Sequence, residues 1–148
     1  MAAQDNAATA RRLPEAWNER DFDSMAMAMA DDGEIVVVGS DQRFVGRDGV
    51  REFARMWADA FPDGRVEVTN VIDGGDHVAV EYTGRGTQTG TLVSAAGEIP
   101  PTGRSIELRL CDIVQFRDGK VTTIRSYFDS ASLMAQLGLM PEPAGATA

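Results

Sequence analysis

From Ile106 to Phe116 every second residue belongs to one set: Ile106, Leu108, Leu110, Asp112, Val114 and Phe116. A period of two is that of a strand with one buried face. Five of these six positions are apolar and the sixth is a carboxylate. The sequence then turns at Asp118-Gly119 and runs into a second strand from Lys120 to Phe128. Asp129 and a short helix holding Gln136-Leu137-Gly138 follow. A carboxylate on a buried face costs several kcal/mol of desolvation unless it is partnered or takes up a proton. A small fold that keeps one there is a candidate for using it chemically.

The chain has 148 residues, enough for one domain that buries roughly 68–70% of its unfolded surface without a metal or disulfide staple. We expect a single domain over 1–140 and a disordered tail over 141–148, where small residues and prolines dominate. A single cysteine, Cys111, leaves no internal disulfide and fits a reducing compartment. The first residues lack the basic and apolar regions of a signal peptide, and no apolar run reaches the ~20 residues of a membrane span. These features point to a cytoplasmic protein with no membrane partner. A net charge of -9 argues against nucleic acid, whose phosphates would be repelled. The one histidine, His77, belongs to no zinc-type spacing, and no Gly-rich phosphate loop is present.

A first helix is expected near Asp5 to Glu19, with Pro14 as a kink or its true first turn. Asp21-Phe22-Asp23 opens a second helix carrying Met25, Met27 and Met29, which Asp31-Asp32-Gly33 stops. Glu34 to Val38 reads as a strand. A third helix begins with Asp48 as N-cap, and its residues Val50, Phe53, Ala54, Trp57, Ala58 and Phe61 form one apolar stripe. Pro62-Asp63-Gly64 ends it. Strands follow over Arg65 to Ile72, Gly75 to Thr89, Ser105 to Phe116 and Lys120 to Phe128, with Gly97 to Gly103 as a longer loop. Helices followed by a curled sheet define an α+β fold in which helices pack inside the sheet and leave a conical, ligand-sized cavity.

Several short motifs occur in order: Ala16-Trp17-Asn18, Asp31-Asp32, Gly46-Arg47-Asp48-Gly49-Val50, Pro101-Thr102-Gly103-Arg104, Phe116-Arg117-Asp118-Gly119-Lys120-Val121, Phe128-Asp129 and Gln136-Leu137-Gly138. Together they resemble the SnoaL-like polyketide cyclase branch of the nuclear transport factor 2-like superfamily, over almost the whole chain. The resemblance implies a cone-shaped barrel of a curved mixed or antiparallel sheet wrapped around N-terminal helices, often dimeric through the outer sheet face. It also implies intramolecular aldol closure of a polyketide ring by an acid/base aspartate, with no metal and no cofactor. The same stretch is similar to limonene-type epoxide hydrolases, which carry Arg-x-Asp on one strand and an Asp three residues before the terminal Phe-Asp. Here those positions read Arg85-Gly86-Thr87 and Ser126. The arginine is kept and both acids are absent, which argues against epoxide hydrolysis by that triad. If the cyclase acid aligns with Ser126 it has been lost; if it aligns with Asp129 it is kept.

The candidates are weighed against plainer roles. Asp112, on the buried face, would have a raised pKa suited to a general base or acid; its plainer role is a structural aspartate bonded to an amide or an arginine. Asp129 suits an N-cap as well as cavity chemistry. Arg85 could hold an oxyanion, or it could form a surface ion pair. Apolar alternation would turn Val78, Val80 and Tyr82 inward and Arg85 outward, whereas the family comparison turns Arg85 inward. His77 suits a proton shuttle or an exposed turn edge. Tyr82 and Tyr127 could donate to a carbonyl or serve as core or interface aromatics. Trp17, Phe53, Trp57, Tyr82, Leu110 and Ser126 are the candidate substrate contacts, and the methionines could add an adaptable apolar wall. The resulting expectation is a cofactor-free acid/base cyclase acting on an apolar, oxygenated substrate as a homodimer. The alternatives are an isomerase, hydroxylase or hydrolase on the same barrel, or a non-catalytic ligand-binding dimer module.

Overall fold

The computed structural model describes residues 5–94 and 97–140, so the tail expected to be disordered lies outside the described residues. Helix α1 spans Asn6–Asn18, α2 Phe22–Met27, α3 Gly46–Ala60 and α4 Ser130–Gln136. Strands are β1 (Met29–Val37), β2 (Arg43–Val45), β3 (Arg65–Asp73), β4 (His77–Thr87), β5 (Leu92–Ser94), β6 (Gly97–Ile99), β7 (Ser105–Arg117) and β8 (Lys120–Phe128). Six strands form one mixed sheet in the order β2-β1-β8-β7-β4-β3, and β5 and β6 form a separate hairpin. All neighbours in the large sheet are antiparallel except β1 and β8. The sheet is open at β2 and β3 and wraps in a cone around the helices.

Local chemistry explains the element ends. Asp5 caps α1 by accepting from the Ala8 amide at 3.0 Å, and Asp21 caps α2 by accepting from Ser24 at 3.1 Å. Pro14 neither starts nor ends α1; it lies inside the helix and is buried. Asp31-Asp32-Gly33 does not stop a helix. Helix α2 ends at Met27, and Met29, with 0% exposure, already pairs with Val121 as the first residue of β1. The pairing of β1 with β8 shifts register between Met29 and Glu34. The two aspartates project into solvent in that interval and pair with Arg47 and Arg117. Asp48 is not the N-cap of α3, which starts two residues earlier at Gly46 with no side-chain cap. It sits in the first turn, favoured there by the helix dipole, and binds Arg51 at 2.9 Å. The hairpin between β7 and β8 turns at Asp118 and Gly119, with φ of 53° and 79°. Two left-handed residues make the turn whose twist matches the strands, which is why Asp-Gly stands there.

The apolar stripe of α3 packs into the concave face of the sheet. Phe53 meets Phe44 edge-on at 5.2 Å, and Trp57 contacts Phe61 at 6.1 Å and Phe128 at 5.7 Å between ring centres. Val50 and Ala54 are buried beneath them, together with Val78, Val80, Val114 and Val121 of the sheet. A second cluster joins Ala60 and Phe61 to Leu92, Ile106, Leu133 and Leu137, fixing the β5–β6 hairpin and α4 at one end of the cone. Part of the expected Gly97 to Gly103 loop is therefore strand β6. Gln88, fully buried, pins its continuation by donating to the Ile99 and Pro100 carbonyls and accepting from the Thr102 amide and hydroxyl.

Candidate active site

The interior is not filled. A cavity with about 110 Å³ of space open to water-sized molecules lies between the helices and the concave face of the sheet. Trp17, Met25, Phe53 and Trp57 wall it from the helices, and Leu108, Leu110 and Ile124 from the sheet. Trp17 is held in that wall because its indole N–H donates to the Ala54 carbonyl at 3.0 Å. Of Met25, Met27, Met29 and Met56, expected to line it, Met25 does so; Met29 is in the core, Met56 packs against the core and Met27 is 51% exposed. The polar side chains inside are Tyr82, Asp112 and Ser126.

Strand pairing brings these three together. Asp112 of β7 stands directly opposite Ser126 of β8 and opposite Val80 of β4. Tyr82, two residues along β4 and on the same face, reaches back diagonally. Its hydroxyl donates to Asp112 Oδ2 at 2.9 Å. Asp112 Oδ1 and Ser126 Oγ are buried and make no hydrogen bond among the described residues. Burial raises the Asp112 carboxyl from an ordinary 3.8 to about 6, against the opposing pull of the nearby Ser126 hydroxyl, which lies outside hydrogen-bond geometry, and of the bonded Tyr82 hydroxyl. Burial, and then the charge of Asp112, holds the Tyr82 phenol well above its usual range, so it remains a donor. The arrangement is a carboxylate poised near neutrality with one oxygen occupied and the other free. A free hydroxyl stands across from it in an apolar chamber.

Asp112, Tyr82, Ser126, Trp17, Phe53, Trp57 and Leu110, all picked from the sequence, line this one cavity. Arg85 lines the same cavity only at its exposed mouth, beside Glu107, its cross-strand partner, rather than in the interior with Asp112. Its guanidinium binds Glu107 at 2.9 Å and Glu67 at 3.6 Å at the rim of the mouth, so it is not directed at Asp112. Asp129 is exposed and caps α4 by accepting from the Ser132 amide at 3.1 Å; it does not line the cavity. His77 sits at the start of β4 against Asp76 at 3.0 Å, and Tyr127 is 41% exposed on the outer face. Sequence reasoning missed the Gly64-Arg65-Val66 segment, which forms the mouth. It comes there because Asn18 clamps the Val66 amide and carbonyl, each at 2.8 Å, and Arg20 binds the Pro62 and Gly64 carbonyls. No local pattern announces contacts between residues so far apart in the chain. Among the described residues, no group of three or more His, Cys, Asp or Glu side chains is placed to hold a metal ion. No helix among them is long and apolar enough to cross a membrane.

This is the nuclear transport factor 2-like class of fold. A sequence model of the SnoaL-like polyketide cyclase family matches residues 7–137, and the chain belongs to that family. Among solved structures it is similar to a protein from Jannaschia sp. CCS1 provisionally assigned as a SnoaL-like polyketide cyclase. The TM-score is 0.82 at 23% identity, covering 95% of this chain and 97% of that one. It is also similar to IdmH from Streptomyces antibioticus, provisionally assigned as a polyketide cyclase, with a TM-score of 0.73 at 27% identity over 90% and 99% of the two chains. An epoxide hydrolase of the LEH-like type from M. tuberculosis shares the fold, with a TM-score of 0.67 at 20% identity over 89% and 88%. No curated protein is similar enough in sequence to count as a relative.

Proposed function

We propose that the protein is a cofactor-free acid/base cyclase that closes a ring in a polyketide-type carbonyl compound by an intramolecular aldol step. The observation that carries the reading is the buried, unoccupied Oδ1 of Asp112 facing the unoccupied Oγ of Ser126 within an apolar cavity. A ketone bound there would offer its α-hydrogen to a base and its oxygen to a hydroxyl donor. Asp112 Oδ1 takes the α-proton, and the C–H pair becomes the C=C bond of an enolate. The carbonyl π pair moves to oxygen, where the Ser126 hydroxyl donates to it. The enolate carbon then bonds to a second carbonyl carbon of the same molecule. The resulting alkoxide recovers the proton from Asp112, so the product is an isomer of the substrate. Tyr82 keeps Oδ2 engaged. The aromatic walls bring the two carbons together, a contribution of orientation rather than of chemistry. Arg85 remains in its ion pairs, and Asp129 remains a cap. The family membership and the likeness to IdmH support this choice over hydrolysis, for which Ser126 and Thr87 replace the needed acids.

The working unit is a cytoplasmic homodimer paired through the outer sheet face, a compartment that suits the lone Cys111. Proton removal can be tested without the natural substrate. 2-Tetralone in D₂O should exchange its α-hydrogens faster with the wild-type protein, followed by NMR. Asp112→Asn should lower that acceleration by about 10²–10⁴, the usual worth of a positioned proton-transfer group. Equal exchange by both proteins would refute the reading.

A further inference from the structure

The cavity has a second polar zone, remote from Asp112. Of the residues lining it, only Arg65 and Arg85 are exposed, so they mark its mouth. There the cavity opens into an outer groove that shares Arg65, Val66, Arg85 and Ile106 with it and adds Asp63, Glu67, Thr87, Ser105 and Glu107. The charges in this groove are not equally committed. Arg85 is closed on by Glu107 at 2.9 Å and Glu67 at 3.6 Å. Asp63 Oδ1 accepts from the Thr87 amide at 2.8 Å. Arg65 has no carboxylate within 4.0 Å among the described residues, and the guanidinium of Arg20 lies near enough to oppose its charge. Arg20 itself spends its donors on the Trp17, Pro62 and Gly64 carbonyls. Arg65 therefore stands at the mouth with no carboxylate partner among the described residues, and Asp63, the groove acid outside the Arg85 ion pairs, is engaged by the Thr87 amide. This occurs in a chain whose net charge is -9, where an anion would otherwise be repelled.

We infer that the ligand is an amphipathic acid: its carbonyl-bearing ring lies deep at Asp112 and Ser126, and a carboxylate at its other end stays in the mouth against Arg65. A guanidinium suits that end because its planar fork matches a carboxylate with two parallel hydrogen bonds. The chamber between the two zones offers only apolar contact, so it takes the hydrocarbon body. This inference rests on the proposed function and adds the chemical class of the ligand.

The probe is 2-tetralone carrying a short carboxyalkyl chain at C6, opposite the ketone, beside its methyl ester. Affinity is read from quenching of Trp17 and Trp57, which line the cavity. At low salt the acid should bind about three- to tenfold more tightly than the ester, the range for a partly exposed charge pair with two hydrogen bonds. Raising the salt to 1 M should narrow that gap, because exposed charges are screened. Arg65→Gln should bring the acid down to the ester and leave the ester within about twofold. Arg85→Gln should change the gap less, because Arg85 is already paired. Equal binding of acid and ester, or an Arg65→Gln loss shared by both, would overturn the inference. The α-exchange of the same probes reports on Asp112 separately. Asp112-dependent exchange without an acid preference removes the charge inference alone. An acid preference without exchange supports it and removes the catalytic reading instead.

Discussion

Burying the Asp112 carboxylate costs stability whenever it is ionised. In the unfolded chain it loses its proton near 3.8, in the folded protein near 6. Between those values the folded state holds the extra proton, so stability falls as pH rises through the window and the cost is fully present above pH 6. At roughly 1.4 kcal/mol per unit the cost approaches about 3 kcal/mol. Asp112→Asn should therefore raise the melting temperature at pH 8, and the gain should shrink steadily towards pH 4. A gain that is flat with pH, or a loss at pH 8, would show that burial does not destabilise the ionised carboxylate. The burial of Asp112 was readable from parity alone, since one residue type interrupts an apolar face. Its partners were not: Tyr82 reaches it across a strand pair that closes only in three dimensions. Arg85 falls between the two expectations: it is exposed and ion-paired, as alternation suggested, and it also lines the cavity at its mouth.

At the scale of elements, long periodic segments were legible and short or irregular ones were not. The stripe of α3 and the alternation of β7 and β8 declare themselves because many residues vote for one face. Strand β2, with three residues, and the β5–β6 hairpin carry no such pattern. The boundary between α2 and β1 was misplaced because Asp31-Asp32-Gly33 has the composition of a turn. Pairing with β8 on either side of the register shift overrides that local preference. The hairpin depends on Gln88, whose amide is enclosed by the backbone it serves. Gln88→Ala should cost about 2–4 kcal/mol in urea unfolding, the effect of several buried groups left unpaired. A loss below about 1 kcal/mol would show that the hairpin's apolar contacts hold it without the amide.

At the scale of the molecule, the outer face of the sheet carries a cross-strand row of Ile72, Ala79, Ile113, Arg125 and Val36. Ile72 is 57% exposed, and Tyr127, beside Cys111 on the same face, is 41% exposed. An isologous dimer through this face would cover them. Light scattering at micromolar concentration should give twice the 15.9 kDa of the monomer, and Ile72→Glu should return it to one. A wild-type protein that scatters only as 15.9 kDa would exclude the dimer. The α+β class and the cavity could be anticipated from the order of elements. The mouth could not, because it is assembled from α1, β3, β4 and β7 by the closing of the whole cone. The parallel pairing of β1 with β8 has one more consequence. Strand β1 is made early in synthesis, yet its neighbour in the sheet is the last strand to leave the ribosome. Until Phe128 has emerged, the inner edge of β1 stays open and the chamber lacks the wall that carries Ser126. Closing so long a loop should make completion of the sheet a late step and refolding slow for the chain's size.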